Sequence, residues 1–274
     1  MMSGRLEHKV ALVTGAARGQ GRCTAIRLAQ EGADIIALDI CAQIGSVPFP
    51  MATRADLGET VKEVEALGRR IVASETDVRD LGAVERTVDA AVTDLGRLDA
   101  VSVNAGITSI GRADELTPLQ WQDVIDVNLT GAWHTVRASI PHLRAGGRGG
   151  AIVITSSAAG LRAIPNMSHY VAAKHGVVGL MKALAIELGP EKIRVNTVNP
   201  YTVSTPMANN EAMYRLFRPD LENPTEDDFM EAMPLTVLQI PWVEPIDISN
   251  VIAFLVSDEA RYITGVAVTV GNAI

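Results

Sequence analysis

The 274-residue sequence predicts an α/β fold, one doubly wound domain in which a seven-stranded parallel sheet is flanked by helices. Three observations carry that expectation. Short apolar runs alternate with segments of helical period along nearly the whole chain, the first run passes directly into a glycine-rich turn, and no stretch of linker composition divides the sequence. A prior of about 150 residues per domain allows two domains or one large one, and the unbroken alternation favours one.

Val10 to Val13 is wholly apolar, as expected of a strand covered on both faces of a parallel sheet. It runs straight into Thr14-Gly15-Ala16-Ala17-Arg18-Gly19-Gln20-Gly21, and a helical pattern (Ala25, Ile26, Leu28, Ala29) follows to Gly32. Glycines 15, 19 and 21 permit a tight turn, close approach of backbone to a pyrophosphate, and contact between helix and strand, while the helix N-terminus offers N–H donors. The next strand, Asp34 to Asp39, ends in a carboxylate 18 residues after Gly21. An acid at this spacing accepts hydrogen bonds from both ribose hydroxyls of adenosine and repels a 2′-phosphate, so NAD is favoured over NADP. Arg18 is the dissenting residue, because a guanidinium in the turn could hold that phosphate; Ile40 and Cys41, however, supply no second cation.

Residues 41–55 carry two prolines and no clean periodicity, and a connection of this length is either a flap over the adenosine half of the cofactor, the reading preferred, or a neutral surface insertion. A helix from about Asp56 to Leu67 and a strand near Arg70 to Ser74 lead to Asp77-Val78, where the acid is placed to meet the adenine amino group. A helix (Ala83 to Leu95) and a strand (Leu98 to Val103) follow, ending in Asn104-Ala105-Gly106, whose small side chains let backbone approach a ligand. Thr117-Pro118 opens one long helix to about His142, its apolar face interrupted by Asn128. That residue is either a satisfied core amide or a polar piece of a site.

The strand from Ile152 ends in Thr155-Ser156-Ser157, and a helix opens near Ser168. Residues four apart share a helix face, so Tyr170 and Lys174 present a phenol and an ammonium to one place. Unit charges ~4 Å apart in a partly buried site interact by roughly 4 kcal/mol, about three pKa units, enough to bring a phenol near neutrality. Ser157 can set a hydroxyl against the same substrate oxygen. A sixth strand, Ile193 to Val198, precedes Pro200, Val203, Thr205 and Met207. The methionine- and phenylalanine-rich segment 201–242 reads as an apolar lid; a helix (Asp247 to Ser257) and a strand (Gly265 to Val270) close the sheet.

Composition excludes several functions. Acidic residues exceed basic ones, 32 against 24, and no basic run exists, which argues against a nucleic-acid surface. Cys23 and Cys41 form neither a disulfide framework nor a thiolate metal site, and His134 and His142 lack ligand partners, so no metal is expected. No uncharged apolar stretch reaches 18 residues, so neither export nor membrane insertion is expected and a cytoplasmic setting fits.

Together these residues resemble the short-chain dehydrogenase/reductase family along the whole chain: T-G-x-x-x-G-x-G at 14–21, Asp39, Asp77, N-A-G at 104–106, Asn128, Ser157 and Y-x-x-x-K at 170–174. The resemblance implies a Rossmann domain with Tyr170 as acid/base, Ser157 on the substrate oxygen, Lys174 on the nicotinamide ribose, and Asn128 anchoring a relay water. Thr155 and the segment Pro200 to Met207 would face the nicotinamide. Tyr201 in place of the usual Pro-Gly, the 41–55 insertion, the T-G-A-A-R-G-Q-G turn and the A-L-D-I-C strand end look like the mycofactocin-coupled carveol dehydrogenase subgroup. That similarity implies tightly held NAD, apolar cyclic secondary alcohols or ketones as substrates, and an external redox partner. It further implies a homotetramer using the 118–142 and 168–188 helices, with family-style contacts at the divergent C-terminus in doubt. An NADPH ketoreductase or a non-catalytic nucleotide sensor are the alternatives.

Overall fold

A computed structural model describes residues 4–271 and has the expected architecture. Seven strands, β1 (Val10–Thr14), β2 (Asp34–Asp39), β3 (Ile71–Glu75), β4 (Ala100–Val103), β5 (Gly150–Thr155), β6 (Ile193–Pro200) and β7 (Ala267–Val270), form one sheet in the order β3-β2-β1-β4-β5-β6-β7. Every pairing is parallel. The order reverses between β1 and β4, which opens a crevice outside their carboxyl ends.

Why the strands read as wholly apolar is plain from the packing. Ala11 and Val13 of β1 point into one core layer with Leu28, Ile248 and Ile252; Val10 and Leu12 point into the other with Val88, Val136 and Met181. The first layer is covered by α1 (Gly19–Gln30), α2 (Arg54–Ala66) and α9 (Pro245–Val256); α3 (Leu81–Leu95), α5 (Gly131–Ala145) and α6 (Ser168–Leu188) cover the second. Local chemistry sets helix starts: Thr53 and Asp56 close a capping box on α2, and Thr117 with Gln120 does the same for α4 (Pro118–Ile125).

The single long helix expected from Pro118 to His142 is interrupted. After α4 the chain widens into one π-turn, Asp126–Thr130, before resuming as α5. Asn128 explains the break, because its amide Nδ2 donates to the Val124 carbonyl at 2.8 Å and to the Ile107 carbonyl at 2.9 Å. The last strand is also shorter than expected: Gly265 takes φ +75°, outside extended geometry, and β7 begins at Ala267. Of the divergent C-terminal Val-Gly-Asn-Ala-Ile, the last three residues lie outside the described residues.

Two connections cover the crevice. Residues 41–53 are an ordered flap with Ile44, Val47 and Phe49 buried against Val78, Ile107, Val124 and Val127. The Gln43 amide shapes it, donating to the carbonyls of Ile44, Val47 and Phe49 while its carbonyl accepts from Met51 N–H. Segment 201–242 carries α7 (Glu211–Phe217) and α8 (Glu226–Ala232), held over a small core of Tyr201, Phe229 and Met233. Leu235 and Leu238 of this segment are exposed to solvent. Among the described residues no helix is long and apolar enough to cross a membrane, and no group of side chains could hold a metal ion.

Candidate active site

The glycine turn is built as a cradle. Gly15 and Gly19 take φ +67° and +55°, and a Cβ on Gly21 would stand 1.9 Å from the Gly15 carbonyl oxygen. Arg18, in extended conformation before α1, makes no side-chain cap, and the first turn carries no acid. The N–H groups at this end are therefore unspent, the property that suits an anion. The buried Thr14 hydroxyl accepts from Asn104 N–H at 3.0 Å and Ala105 N–H at 3.1 Å, which locks the turn to the Asn104-Ala105-Gly106 segment across the switch point.

At the end of β2 Asp39 is buried, its Oδ2 accepting from Ala17 N–H and its Oδ1 from Cys41 N–H, both at 3.0 Å. Asp39, Ile40, Asp77 and Val78 line one cleft together with Ile44, Phe49 and Met51 of the flap. Asp77 reaches the cleft wall with both carboxylate oxygens engaged by Arg79, which also pairs with Asp123 at 3.0 Å. Asp123 accepts from the Ser46 hydroxyl at 2.7 Å and so anchors the flap. Arg18 completes the closure: its Nη2 donates to the Pro50 carbonyl at 2.6 Å, a bond that commits this guanidinium to the flap.

The catalytic candidates do converge. Lys174 Nζ lies 5.5 Å from the Tyr170 ring centroid and donates to the Thr155 carbonyl at 2.9 Å. Ser156 Oγ donating to the Lys174 carbonyl ties the strand end to α6 once more, and Asn199 Nδ2 donating to the Ser157 carbonyl ties it to β6. Gly160 allows this approach, since a Cβ there would sit 2.2 Å from Ser156 Oγ. Burial governs the titrations: it pushes the Tyr170 phenol up to about 12, with the Ser157 hydroxyl pulling the other way, and the Lys174 ammonium down to about 8. The expectation that the lysine by itself brings the phenol to neutrality is corrected here, because desolvation of both groups opposes it.

Asn128 answers both readings of it. Its side chain is a satisfied core amide, bonded to Ile107 and Val124, and it also lines the cavity beside Tyr170 and Lys174. This cavity is continuous with the cleft at Asp39, the two sharing Gln20, Asn104, Gly106, Thr205 and Met207. Gln20 Oε1 and Thr155 Oγ1 are buried along it without a hydrogen-bond partner. Unsatisfied polar atoms, an uncapped helix end and a glycine cradle in one crevice fit a dinucleotide. Pro200 and Val203 line the inner part, while Met213 and Phe217 close it from the lid.

Sequence reasoning missed Thr76, Thr108 and the wall from Arg162 through Ile164 to Met167. That wall lies in an aperiodic loop whose only signal was its place just before the Tyr170 helix. His134 bonds the Val78 carbonyl and His142 pairs with Asp89, so neither is a free ligand.

Residues 9–214 match the model of the short chain dehydrogenase family. The chain is 54% identical to (-)-trans-carveol dehydrogenase of Rhodococcus erythropolis, over 97% of each chain. It superposes on the crystal structure of carveol dehydrogenase from Mycobacterium avium in complex with NAD with a TM-score of 0.95 at 54% identity, covering 97% of each chain. A short chain dehydrogenase from Mycobacterium paratuberculosis bound to NAD aligns with a TM-score of 0.89 at 44% identity over 98% of both chains. Matched over most of its length, the chain belongs to the short-chain dehydrogenase/reductase family.

Proposed function

We propose that the protein is an NAD-dependent dehydrogenase that interconverts an apolar, cyclic, carveol-like secondary alcohol and its ketone. The observation that carries this is one continuous cavity with the glycine cradle and Asp39 at one end and Ser157, Tyr170 and Lys174 at the other. NAD is the cofactor rather than NADP. Asp39 stands at the strand end where a 2′-phosphate would be repelled, Arg18 is committed to Pro50, and relatives of this fold are NAD-bound.

When bound, NAD supplies a hydride acceptor at the nicotinamide ring. The chain's own groups do the rest. Ser157 donates to the substrate oxygen and orients it, and Tyr170 takes the hydroxyl proton as hydride leaves the carbinol carbon. Lys174, buried and still largely protonated below about 8, favours the phenolate that this step needs and holds the nicotinamide ribose. Asn128, pinned in the π-turn, positions a relay water. Apolar walls from Ile164, Met167, Met213 and Phe217 exclude bulk water and suit a hydrocarbon ring.

The flap makes cofactor retention tight, and an external redox partner then reoxidises it in place. Trp121, Trp133 and Ile186 are solvent-exposed on α4, α5 and α6, which supports a homotetramer packed through these helices. The test is Tyr170→Phe: cofactor released on denaturing the variant should match wild type while single-turnover reduction by secondary alcohols is lost. Near-normal reduction would overturn the assignment.

A further inference from the structure

We propose that Arg162 forms an anion subsite in the wall of the substrate cavity, and that the physiological alcohol carries a carboxylate away from its carbinol carbon. The inference rests on the alcohol dehydrogenase reading above and revises its substrate, keeping the hydrocarbon body and adding an acid to it.

The cavity is unusual in its charges. Among the described residues Arg162 and Lys174 are the only charged ones lining its substrate end, and no carboxylate lines that end. Lys174 is buried and committed to the Thr155 carbonyl. Arg162 makes no side-chain hydrogen bond or ion pair among the described residues. Other arginines of this region are spent on acids, Arg215 on Glu211 and Arg218 on Asp220. In a chain with 32 acidic against 24 basic residues, an arginine without a carboxylate at a cavity wall stands out.

Arg162 is also held in place. Its guanidinium carbon lies 5.3 Å from the centroid of the Tyr201 ring, and that ring is buried with its hydroxyl donating to the Pro234 carbonyl at 2.7 Å. The backbone fixes the other end, Arg162 N–H donating to the Ala158 carbonyl in the turn that follows Ser157. A guanidinium resting against an aromatic face keeps its N–H edge free, and that planar fork suits two carboxylate oxygens. Ile164 and Met167 add apolar side chains to the cavity that Arg162 and Tyr170 both line, so the fitting ligand has a hydroxyl, a hydrocarbon body and an acid. Tyr201, in place of the Pro-Gly usual at this point of the family, thus supports Arg162 as well as anchoring the lid.

The test uses holoenzyme and two substrates, cyclohexanol and a hydroxycyclohexanecarboxylate with its acid across the ring from the hydroxyl. Reduction of the bound cofactor is followed in single turnovers. Wild type should favour the acid by at least about tenfold in the concentration-dependent rate, the size expected of a charge-assisted pair at a solvent-reachable site. This ratio should collapse in Arg162→Met and be partly kept in Arg162→Lys. A merely structural role would slow both substrates together and leave the ratio unmoved, which would overturn the proposal, as would a wild type indifferent to the acid. Calorimetry with cyclohexanecarboxylate, which has no hydroxyl to oxidise, separates the two readings. Binding to wild type that is lost in Arg162→Met, with neither alcohol oxidised, would keep the subsite and remove the dehydrogenase reading; oxidation of both alcohols without acid preference or binding would do the reverse.

Discussion

Replacing Lys174 by Met removes a buried ammonium while keeping most of the side chain's volume, and its consequences separate electrostatics from packing. The ammonium lies 5.5 Å from the Tyr170 ring centroid. At an effective dielectric of about 20 this amounts to about 3 kcal/mol, or about two pKa units of support for the phenolate. In the free site the phenol already stands at about 12. Without the lysine the phenolate population at neutral pH should therefore fall by about a hundredfold, and the single-turnover rate per bound cofactor with it. The rising limb of the rate against pH should move about two units to the alkaline side. A limb that stays in place would refute the claim that Lys174 tunes the phenol.

The same variant makes an opposite prediction for stability. Lys174 is pushed from 10.5 down to about 8 by burial, so below about 8 the folded chain carries an ammonium that the unfolded chain hydrates freely. Two and a half pKa units correspond to about 3 kcal/mol, offset by about 1 kcal/mol for the bond to the Thr155 carbonyl. Denaturant unfolding of cofactor-free protein should show Lys174→Met more stable by about 2 kcal/mol at neutral pH. That advantage is full below about 8 and fades as pH rises toward 10.5, where both states lose the charge. A cofactor-free variant that is less stable at neutral pH would overturn the burial argument.

Two further outcomes test the cofactor side. Gly21→Ala places a methyl 1.9 Å from the Gly15 carbonyl oxygen and 2.7 Å from Asn104 Nδ2, so the cradle must open at a cost of about 1–3 kcal/mol; the purified variant should release only traces of NAD on denaturation, and a full complement would refute the cradle. Ser46→Ala removes the flap's bond to Asp123. At about 1.5 kcal/mol for a bond to a charged acceptor, exchange of bound for isotopically labelled NAD should quicken by about tenfold, and an unchanged rate would show that the flap does not gate release.

Much of the site was legible because its signals are local. The turn at 14–21, Asp39 at the next strand end, and Tyr170 with Lys174 one helical turn apart each depend on spacings of a few to some twenty residues. The flap was legible only as an overlong connection; that Gln43 would fold it and Ser46 and Arg18 would fasten it depends on partners up to 77 residues away. The π-turn escaped for a related reason. Helical spacing resumes beyond Asn128, which marks the apolar face but not a change of helix type, and the side-chain amide that widens the helix is bonded to Ile107 on another segment.

From the sequence alone came the doubly wound parallel sheet, the glycine turn and the candidate proton-transfer pair, since periodicity and motif spacing are properties of neighbours along the chain. Only the tertiary structure decided how buried that pair is, where Asp77 spends its charge, and that Arg162 rests on Tyr201 at a cavity end that no carboxylate lines. Desolvation and ion pairing are set by what packs around a group in space, and residues brought together from distant segments leave no periodic trace in the order of the amino acids.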